Sequence, residues 1–282
     1  MRFEKWQALG NDYLIFEAQE LAFALAPGHV RRLCDVHRGV GADGVLVLHR
    51  PEEPDSVARL QIFNSDGSEA ELSGNGARQA ILYLHRHGWT QEDSFAIQTP
   101  AGEVRARITA PDTCRMDMGQ AAVSSPDYPS GAQDGRGRLR AGGRQWAFQH
   151  VSIGNPQCAI GVSGPSELEA LELSGIGPEI ERHELFPNRT NVSWFCELAP
   201  GEIRVRIFER GVGETLSSGT GASGAAVAYV LDGGRSPVVV QLPGGQLTVE
   251  VGSDLRVHLT GWARPVYAGM LDAEFVEDLH ET

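Results

Sequence analysis

Two stretches of this sequence, about half a chain length apart, repeat one another. Residues 61–80 (QIFNSDGSEAELSGNGARQA) align without a gap on residues 206–225 (RIFERGVGETLSSGTGASGA). The alignment superposes Ser73 on Ser218 and matches a strand-like run upstream at the same offset. Self-similarity of this kind indicates one structural unit used twice. The 282-residue chain is therefore predicted to form two similar domains.

Each repeat has the same local order of strand, turn and helix. Alternating apolar runs at 60–63 and 203–208 predict strands, and the glycine-rich turns after them predict a break. Ser-Gly-x-Gly-Ala follows in both copies and predicts the start of a small-residue helix. The unpaired N–H groups and the dipole at such a start suit a carboxylate or phosphate. A serine there is also an ordinary N-cap, so it is the presence of two copies that indicates two helix starts serving one ligand.

The remaining pattern mixes α and β and is dominated by strands. Helical spacing occurs at 27–36 and 165–173, and a stretch rich in Ser, Pro, Gly and Asp predicts a long loop at 121–144. Strand-like alternation is found at 91–109, 114–120, 145–163, 191–196, 236–251 and 254–259. The predicted fold class is α+β.

Charge and composition argue against several classes of protein. The formal net charge of −13 repels nucleic-acid phosphates and anionic lipid surfaces. Neither a membrane-length apolar run nor a signal-peptide pattern is found, so a cytoplasmic location is expected. The four cysteines have no metal-like spacing; we expect them to be buried small hydrophobes and expect no metal site. The glycine-separated arginines predict a solvated loop; they are Arg136, Arg138, Arg140 and Arg144.

Six motifs in chain order, and a closing segment, resemble those of diaminopimelate epimerases. The motifs are ALGNDYLIF (8–16), GVGADGVL (39–46), FNSDGSEAELSGNGAR (63–78), VSIGNPQCA (151–159), FPNRTNVSW (186–194) and ERGVGETLSSGTGA (209–222), and the closing segment is LTGWARPVYAGML (259–271). The resemblance implies two pseudo-symmetric domains, each a curved, mostly antiparallel, β-barrel-like sheet around a central helix. The implied domains are 1–118 with the closing strand 264–282, and 119–263.

The resemblance also implies an activity. Members of this family are cofactor-independent epimerases that convert LL-diaminopimelate to the meso form, for lysine and peptidoglycan synthesis, with the substrate between the two domains. One active-site cysteine removes the α-proton, and a second cysteine returns a proton from the opposite face. Inversion requires such an opposed pair of acids and bases, and the duplicated loops supply one.

The resemblance assigns site residues by position. Ser73 and Ser218 align with the two catalytic cysteines, and Glu209 with a residue that grips the reacting amino acid. The backbone of Gly74, Asn75, Gly219 and Thr220 aligns with the groups that bind the same end of the substrate. The residues aligned with those holding the distal amino and carboxylate groups are Asn11, Asn64, Asn155, Asn191 and Arg210.

The serines are the main departure from the family pattern, and Gln157 stands where the family has a histidine. A thiol titrates near pH 8.5; if the serine pKa lies about five units higher, ionising it costs roughly 7 kcal/mol more, about 10⁵ in rate. A neighbouring base is needed to offset that cost. Glu209 is one candidate and Glu71 another, although Glu71 is expected to be exposed to solvent.

Three functions stay open at this point. The first is an epimerase, the second a lyase, and the third a non-catalytic protein that binds diaminopimelate. Relatives of this fold with hydroxyl residues at these positions dehydrate hydroxyproline-like substrates, which is the basis for the second. Tyr267 stands where the family has an aromatic residue at a dimer contact, so the resemblance also implies a homodimer.

Overall fold

The structure is a computed structural model that describes residues 1–281. It divides into two compact units. Unit 1 contains Met1–Met116 and the segment from Gly261 onward, and unit 2 contains Asp117–Thr260. The strands in chain order are β1 (Arg2–Ala8), β2 (Asn11–Glu17), β3 (Gly44–His49), β4 (Ser56–Asn64), β5 (Glu69–Ala70), β6 (Ser94–Thr99), β7 (Gly102–Ala110), β8 (Thr113–Gln120), β9 (Arg136–Ala141), β10 (Arg144–Ser152), β11 (Pro156–Gly161), β12 (Asn191–Ala199), β13 (Glu202–Glu209), β14 (Gly213–Thr215), β15 (Val238–Leu242), β16 (Gly245–Val251), β17 (Arg256–Trp262) and β18 (Arg264–Met270). The α-helices are α1 (Pro27–Cys34), α2 (Gly74–Arg86), α3 (Pro165–Glu169), α4 (Leu173–Glu181), α5 (Gly219–Leu231) and α6 (Ala273–His280).

The two units share one pattern of strand pairing. In unit 1 the order is β18-β1-β2-β3-β4-β6-β7-β8, in which β2–β3 and β4–β6 are parallel and the other pairs antiparallel. In unit 2 the order is β9-β10-β11-β12-β13-β15-β16-β17, with the parallel pairs at the same two places. The predicted pair of similar, mostly antiparallel folds is confirmed. The last strand of the chain, β18, supplies to unit 1 the strand that β9 supplies to unit 2.

A helix lies against the inner face of each sheet. Every residue of α2 from Asn75 to Leu84 is buried, and α2 contacts β1, β2, β3, β4 and β7. In unit 2, α5 is rich in Gly and Ala, is buried along almost its whole length, and contacts β10 to β13, β15 and β16. Because α5 carries small or apolar residues on all sides, it must be covered on all sides. The curvature of each sheet provides that cover.

Shorter helices form a second layer on the outer side of each sheet. In unit 1, Val30 and Leu33 of α1 and Leu279 of α6 are buried against Phe16 and Val47 of the sheet. In unit 2, Leu168 of α3 and Ile180 of α4 are buried with the aromatic rings of Trp146, Trp194 and Phe186. Each unit therefore has apolar packing on both faces of its sheet.

Two of the predicted elements are wrong in part. The stretch 121–144 contains a strand, β9, so the arginines at 136, 138 and 140 lie on an extended segment rather than in a loop. Their side chains are exposed, whereas Leu139, which lies between two of them, and Ala141, which follows them, are buried. The helical pattern at 165–173 ends with α3 at Glu169, and a separate helix, α4, runs on to Glu181.

The four cysteines are free and buried, as predicted: Cys34, Cys114, Cys158 and Cys196. Burial raises the pKa of the Cys34 thiol and of the Cys114 thiol to about 12, so neither supplies a thiolate near neutral pH. Glu71 is exposed, also as predicted. Among residues 1–281, no helix combines the length and the apolar character that crossing a membrane requires.

Candidate active site

Each central helix begins at the serine of its repeat. Ser73 has an extended backbone, and its Oγ accepts a hydrogen bond from the Gly76 N–H at 3.0 Å. Ser218 accepts one from the Gly221 N–H at 3.2 Å in the same way. Both serines are N-caps, a contact that stabilises a helix by about 1 kcal/mol. A hydroxyl has one donor and two acceptor positions, so capping leaves the proton of each serine available.

The second glycine of each Ser-Gly-x-Gly motif allows this close approach. A Cβ at Gly76 would lie 3.2 Å from Ser73 Oγ and 3.2 Å from Leu46 Cδ2. A Cβ at Gly221 would lie 2.8 Å from Ile207 Cδ1. A side chain at Gly76 would require its neighbours to shift by a few tenths of an ångström, and one at Gly221 would require the Ile207 side chain to move. The repeated glycines are thus explained by packing of the helix on its sheet.

The hydroxyl of Ser73 also contacts a tyrosine. Tyr13 of β2 is buried, and its phenol donates a hydrogen bond to Ser73 Oγ at 3.1 Å. Its ring lies beside Gly44 of β3, which is its partner in the parallel pairing of the two strands. Sequence analysis missed Tyr13. An apolar strand surrounds it, so the pattern indicates an ordinary core aromatic.

A polar network surrounds the start of β2 in unit 1. Asn11 Nδ2 donates to the carboxylate of Asp43 at 2.9 Å, and the backbone N–H of Asp12 donates to the same carboxylate at 3.0 Å. Gln79 of α2 donates from Nε2 to the backbone carbonyl of Asn11 at 3.1 Å. Lys5 balances the acidic charge, with its Nζ 3.0 Å from Asp12. The predicted ligand Asn11 is therefore tied directly to the helix that carries Ser73.

Asn64 forms hydrogen bonds within its own turn. Its Nδ2 donates to Ser68 Oγ at 2.9 Å, and its backbone N–H donates to the Ser68 carbonyl at 2.8 Å. The side chain is exposed at the end of β4. The contacts are those of ordinary turn chemistry, and the predicted binding role of Asn64 stays a prediction.

Asn75 holds a buried arginine. Its Oδ1 accepts from Arg78 Nη2 at 2.7 Å, and Arg78 Nε donates to the backbone carbonyl of Trp262 at 2.9 Å. Arg78 is fully buried, and loss of water lowers its pKa to about 10. The predicted ligand role of Gly74 and Asn75 concerns their backbone N–H groups, which lie in the first turn of α2, and this role stays a prediction.

In unit 2, the structure brings Glu209 to Ser218. Glu209 is the last residue of β13, and both Ser218 and Thr215 donate hydrogen bonds to its carboxylate, the latter at 3.0 Å. Burial raises the pKa of Glu209, and the two hydroxyl donors offset part of that rise. A carboxylate in hydrogen-bond contact with a serine is placed where a base is able to accept the serine proton, and the predicted role of Glu209 as that base stays a prediction.

A chain of three polar side chains joins β11 to the start of α5. Gln157 donates from Nε2 to Asn155 Oδ1 at 2.6 Å, and Asn155 Nδ2 donates to Thr220 Oγ1 at 3.3 Å. Gln157 is fully buried beside Gly224, and its Oε1 has no hydrogen-bond partner. Two predicted ligands, Asn155 and Thr220, are thus in contact, and Gln157 fixes the orientation of the Asn155 amide.

Asn191 and Arg210 are also brought together. Asn191 Oδ1 accepts from the backbone N–H of Arg210 at 2.9 Å, and Asn191 Nδ2 donates to the Pro156 carbonyl at 3.1 Å. The Arg210 side chain is exposed, and its Nη1 donates to the Asn188 carbonyl at 2.9 Å. A guanidinium has five N–H donors, so this contact leaves most of them available for a carboxylate.

A cavity in unit 2 lies away from these residues. Its volume is about 500 Å³, and its lining includes Arg136, Phe148, Ala228 and Asp232. Asp232 is the C-cap of α5, at the end of the helix opposite to Ser218. The cavity therefore belongs to another part of the unit than the candidate site.

Comparison with known proteins decides the family. The family model described as diaminopimelate epimerase matches residues 3–124 and 149–265. The diaminopimelate epimerase of Desulfitobacterium hafniense is 38% identical, over 96% of this chain and 98% of its own. The chain belongs to the diaminopimelate epimerase family. The chloroplastic diaminopimelate epimerase of Oryza sativa subsp. japonica is 37% identical over 95% of this chain and 79% of its own.

Solved structures of lower identity share the fold. A PhzF-family phenazine biosynthesis protein of Bacillus anthracis has a TM-score of 0.69 at 18% identity, over 96% of this chain and 99% of that one. A hydroxyproline epimerase of Agrobacterium vitis has a TM-score of 0.67 at 17% identity, over 95% and 91%. The two-domain architecture of unit 1 and unit 2 is that of this wider group. The family relatives support a diaminopimelate epimerase-like function, that of an isomerase in lysine biosynthesis.

Proposed function

We propose that this chain is a cofactor-independent amino-acid epimerase that interconverts LL- and meso-diaminopimelate with two serines in place of two cysteines. One observation carries the proposal: each serine caps a buried helix and also shares a hydrogen bond with an ionisable side chain, Tyr13 or Glu209. An inverting site needs a proton-transfer group on each face of the substrate, and each of the two helix starts carries such a group.

Glu209 offsets the weak acidity of its serine. As Ser218 Oγ removes the α-proton, the serine proton passes to the Glu209 carboxylate, so no free alkoxide forms. The raised pKa of Glu209 makes it a stronger base than an exposed glutamate. Negative charge that builds on the substrate carboxylate is stabilised by N–H groups of Gly74, Asn75, Gly219 and Thr220.

The distal end of the substrate is assigned to the amides and the exposed guanidinium. The Arg210 guanidinium binds the distal carboxylate, because two of its N–H groups can donate in parallel to the two carboxylate oxygens. The distal amino group and the remaining carboxylate oxygens are assigned to the amides, which are Asn11, Asn64, Asn155 and Asn191. The fixed rotamers of Asn155 and Asn191 support this, because their side chains are already hydrogen-bonded in place.

The test follows the α-proton of LL-diaminopimelate in deuterated water by NMR. Deuterium incorporation with formation of the meso isomer, absent from a Ser73→Ala/Ser218→Ala double variant, is the expected result. Loss of ammonia from the substrate would instead identify a lyase. Binding without exchange would identify a non-catalytic relative. Either of these last two results overturns the proposal.

We also propose a cytoplasmic homodimer. β18 pairs with β1 and exposes apolar side chains, among them Val266, Tyr267 and Met270. Tyr267 is 44% exposed, with its ring edge-on to Phe3. A strand that presents exposed apolar groups at the edge of a sheet suits a second copy of the same chain.

A further inference from the structure

The two serines have different partners, although the loops that carry them are repeats. Ser73 is hydrogen-bonded to a phenol, Tyr13, and Ser218 to a carboxylate, Glu209. An ionised carboxylate only accepts hydrogen bonds, whereas a neutral phenol also donates. The duplicated sites therefore differ in the direction in which a proton can move.

The hydrogen bonds at Ser73 place it in the donor form. Its Oγ accepts from the Gly76 N–H at 3.0 Å and from the Tyr13 phenol at 3.1 Å. Both lone pairs are then occupied, so the Ser73 proton is the group left to donate. Ser218 accepts from the Gly221 N–H and donates to Glu209, which leaves one lone pair on its Oγ to receive a proton.

The surroundings of Tyr13 hold its hydroxyl in place. The ring is 5% exposed, and a Cβ at Gly44 would lie 2.6 Å from its Cε1. The phenol therefore has little freedom to leave Ser73 Oγ. A phenol titrates near pH 10, about three to four units below the value taken here for serine, so it is the stronger acid of the pair.

We propose that Tyr13 is the proton reserve of the unit 1 face, and that it refills Ser73 as Ser73 protonates the substrate. This inference rests on the proposed epimerase function. Tyr13 acts through Ser73 and touches no reacting atom, so it is a positioning residue that also supplies a proton. Ser73 is then the acid and Ser218 the base for the isomer whose α-proton faces Ser218.

The protons balance as follows. Ser218 Oγ takes the α-proton while its own proton passes to Glu209, and the electron pair of the broken C–H bond stays on the α-carbon. That carbon takes the proton of Ser73, and the Tyr13 phenol gives its proton to Ser73 and becomes a phenolate. One proton has moved in effect from Tyr13 to Glu209. Exchange of protons with water returns Tyr13 and Glu209 to their starting forms. The reverse reaction starts from the form in which Tyr13 is a phenolate and Glu209 is protonated.

The first test separates exchange from inversion. A Tyr13→Phe variant keeps the ring and loses the hydroxyl. In deuterated water we expect formation of the opposite isomer to fall about 10²-fold or more, while exchange at the Ser218 face continues without inversion. The matched control is Tyr83→Phe, which removes another buried phenol of unit 1, one that donates to Glu17, and should leave both rates unchanged.

The second test asks whether the hydroxyl or the shape of the side chain matters. Tyr13→Ala leaves a space in which a small aromatic molecule can bind. Added phenol should restore inversion, and added benzene, which fills the same space without a proton, should not. Equal effects of phenol and benzene would show that Tyr13 acts through packing alone and would overturn the inference.

The outcomes distinguish this inference from the proposed function. If the natural protein neither exchanges nor inverts diaminopimelate, the proposed function fails. If the natural protein is active and Tyr13→Phe inverts at the same rate, or loses exchange and inversion in equal measure, the proton-reserve role fails while the epimerase function stands. Should Tyr13→Ala not fold, the Tyr13→Phe comparison alone decides between these results.

Discussion

Gly44 lies directly beside Tyr13 in the parallel pairing of β2 and β3, and a Cβ at Gly44 would occupy space that the tyrosine ring fills. The same Cβ would stand 2.3 Å from the backbone carbonyl of Phe63 on the other neighbouring strand. Tyr13 donates a hydrogen bond to Ser73 Oγ. The lack of a side chain at Gly44 therefore helps to set the position of the Tyr13 hydroxyl group.

Gly44→Ala is predicted to lower both stability and activity. Overpacking of this kind costs about 1–3 kcal/mol, which urea denaturation will measure as a lower midpoint. Gly161→Ala is the control, because the nearest atom to its Cβ would be Phe195 Cζ at an ordinary 3.6 Å. If Gly44→Ala is as stable as Gly161→Ala, the ring of Tyr13 is not confined as described.

Glu209 is predicted to set the acidic limb of the pH–rate profile. Its carboxylate must be ionised to receive the Ser218 proton, and burial raises its pKa. Activity should therefore fall with decreasing pH at values above the ordinary glutamate pKa of about 4.3. Glu209→Gln should remove most of the activity across this range. A limb that stays in place in Glu209→Gln would assign the titration to another group.

The same raised pKa predicts the sign of a stability change. Between the unfolded and folded pKa values of Glu209, the folded state binds more protons, so this residue makes stability fall as pH rises through that window. Glu209→Gln has no such titration. Denaturation at several pH values should show the natural protein losing stability relative to Glu209→Gln as the pH rises above the ordinary glutamate pKa of about 4.3. The opposite slope would contradict the assignment.

Gln157 is predicted to act on substrate binding through Asn155. Gln157→Leu removes the 2.6 Å hydrogen bond that orients the Asn155 amide, and loss of about 1.4 kcal/mol would raise KM about tenfold. Asn155→Ala should have a comparable effect. Because the two residues belong to one hydrogen-bond chain, the double variant should add little to either single one. Additive effects would show that they act independently.

Restoring the family cysteines is predicted to raise the rate. Ser73→Cys/Ser218→Cys replaces hydroxyls by thiols, which ionise about five units more easily on the value taken here for serine. We expect at least a tenfold gain in kcat. A loss of activity would indicate that Tyr13 and Glu209 have adapted the site to hydroxyl groups.

Tyr267→Asp is predicted to separate the proposed dimer. A charge on the exposed face of β18 would be desolvated in an interface and left unpaired. Light scattering at micromolar concentration should give a dimer mass for the natural protein and a monomer mass for the variant. A monomer mass for the natural protein would overturn the homodimer proposal.

Features that repeat or alternate could be predicted from the sequence. The duplicated Ser-Gly-x-Gly motifs predicted two equivalent helix starts. Gly76 and Gly221 pack closely on their sheets, and their equivalent positions in the two motifs can be recognised in the sequence. Glu209 could also be identified as a site candidate, because it stands next to Arg210 in a long family motif; its role as a base stays a prediction. These features depend on residues close together in the chain.

Features that depend on distant partners were missed. The glycines among the arginines of 121–144 predict a loop where β9 is found, but a Cβ at Gly137 would stand 2.3 Å from Tyr128 Oη, so the packed ring requires that glycine. The role of Tyr13 depends on Ser73, which lies 60 residues away. Nothing near Tyr13 in the sequence indicates that contact. Contacts between residues that are far apart in the chain therefore could not be predicted from local sequence patterns.

The place of β18 in the sheet of unit 1 has a consequence for biosynthesis. Unit 2 is one continuous segment, Asp117–Thr260, and the ribosome has delivered all of it before Gly261 is added. Unit 1 receives β18 only after the whole of unit 2 has been synthesised, and β18 is the strand that pairs with β1 on the side away from β2. The sheet of unit 2 can therefore be completed first, while the sheet of unit 1 requires a strand that is synthesised after unit 2.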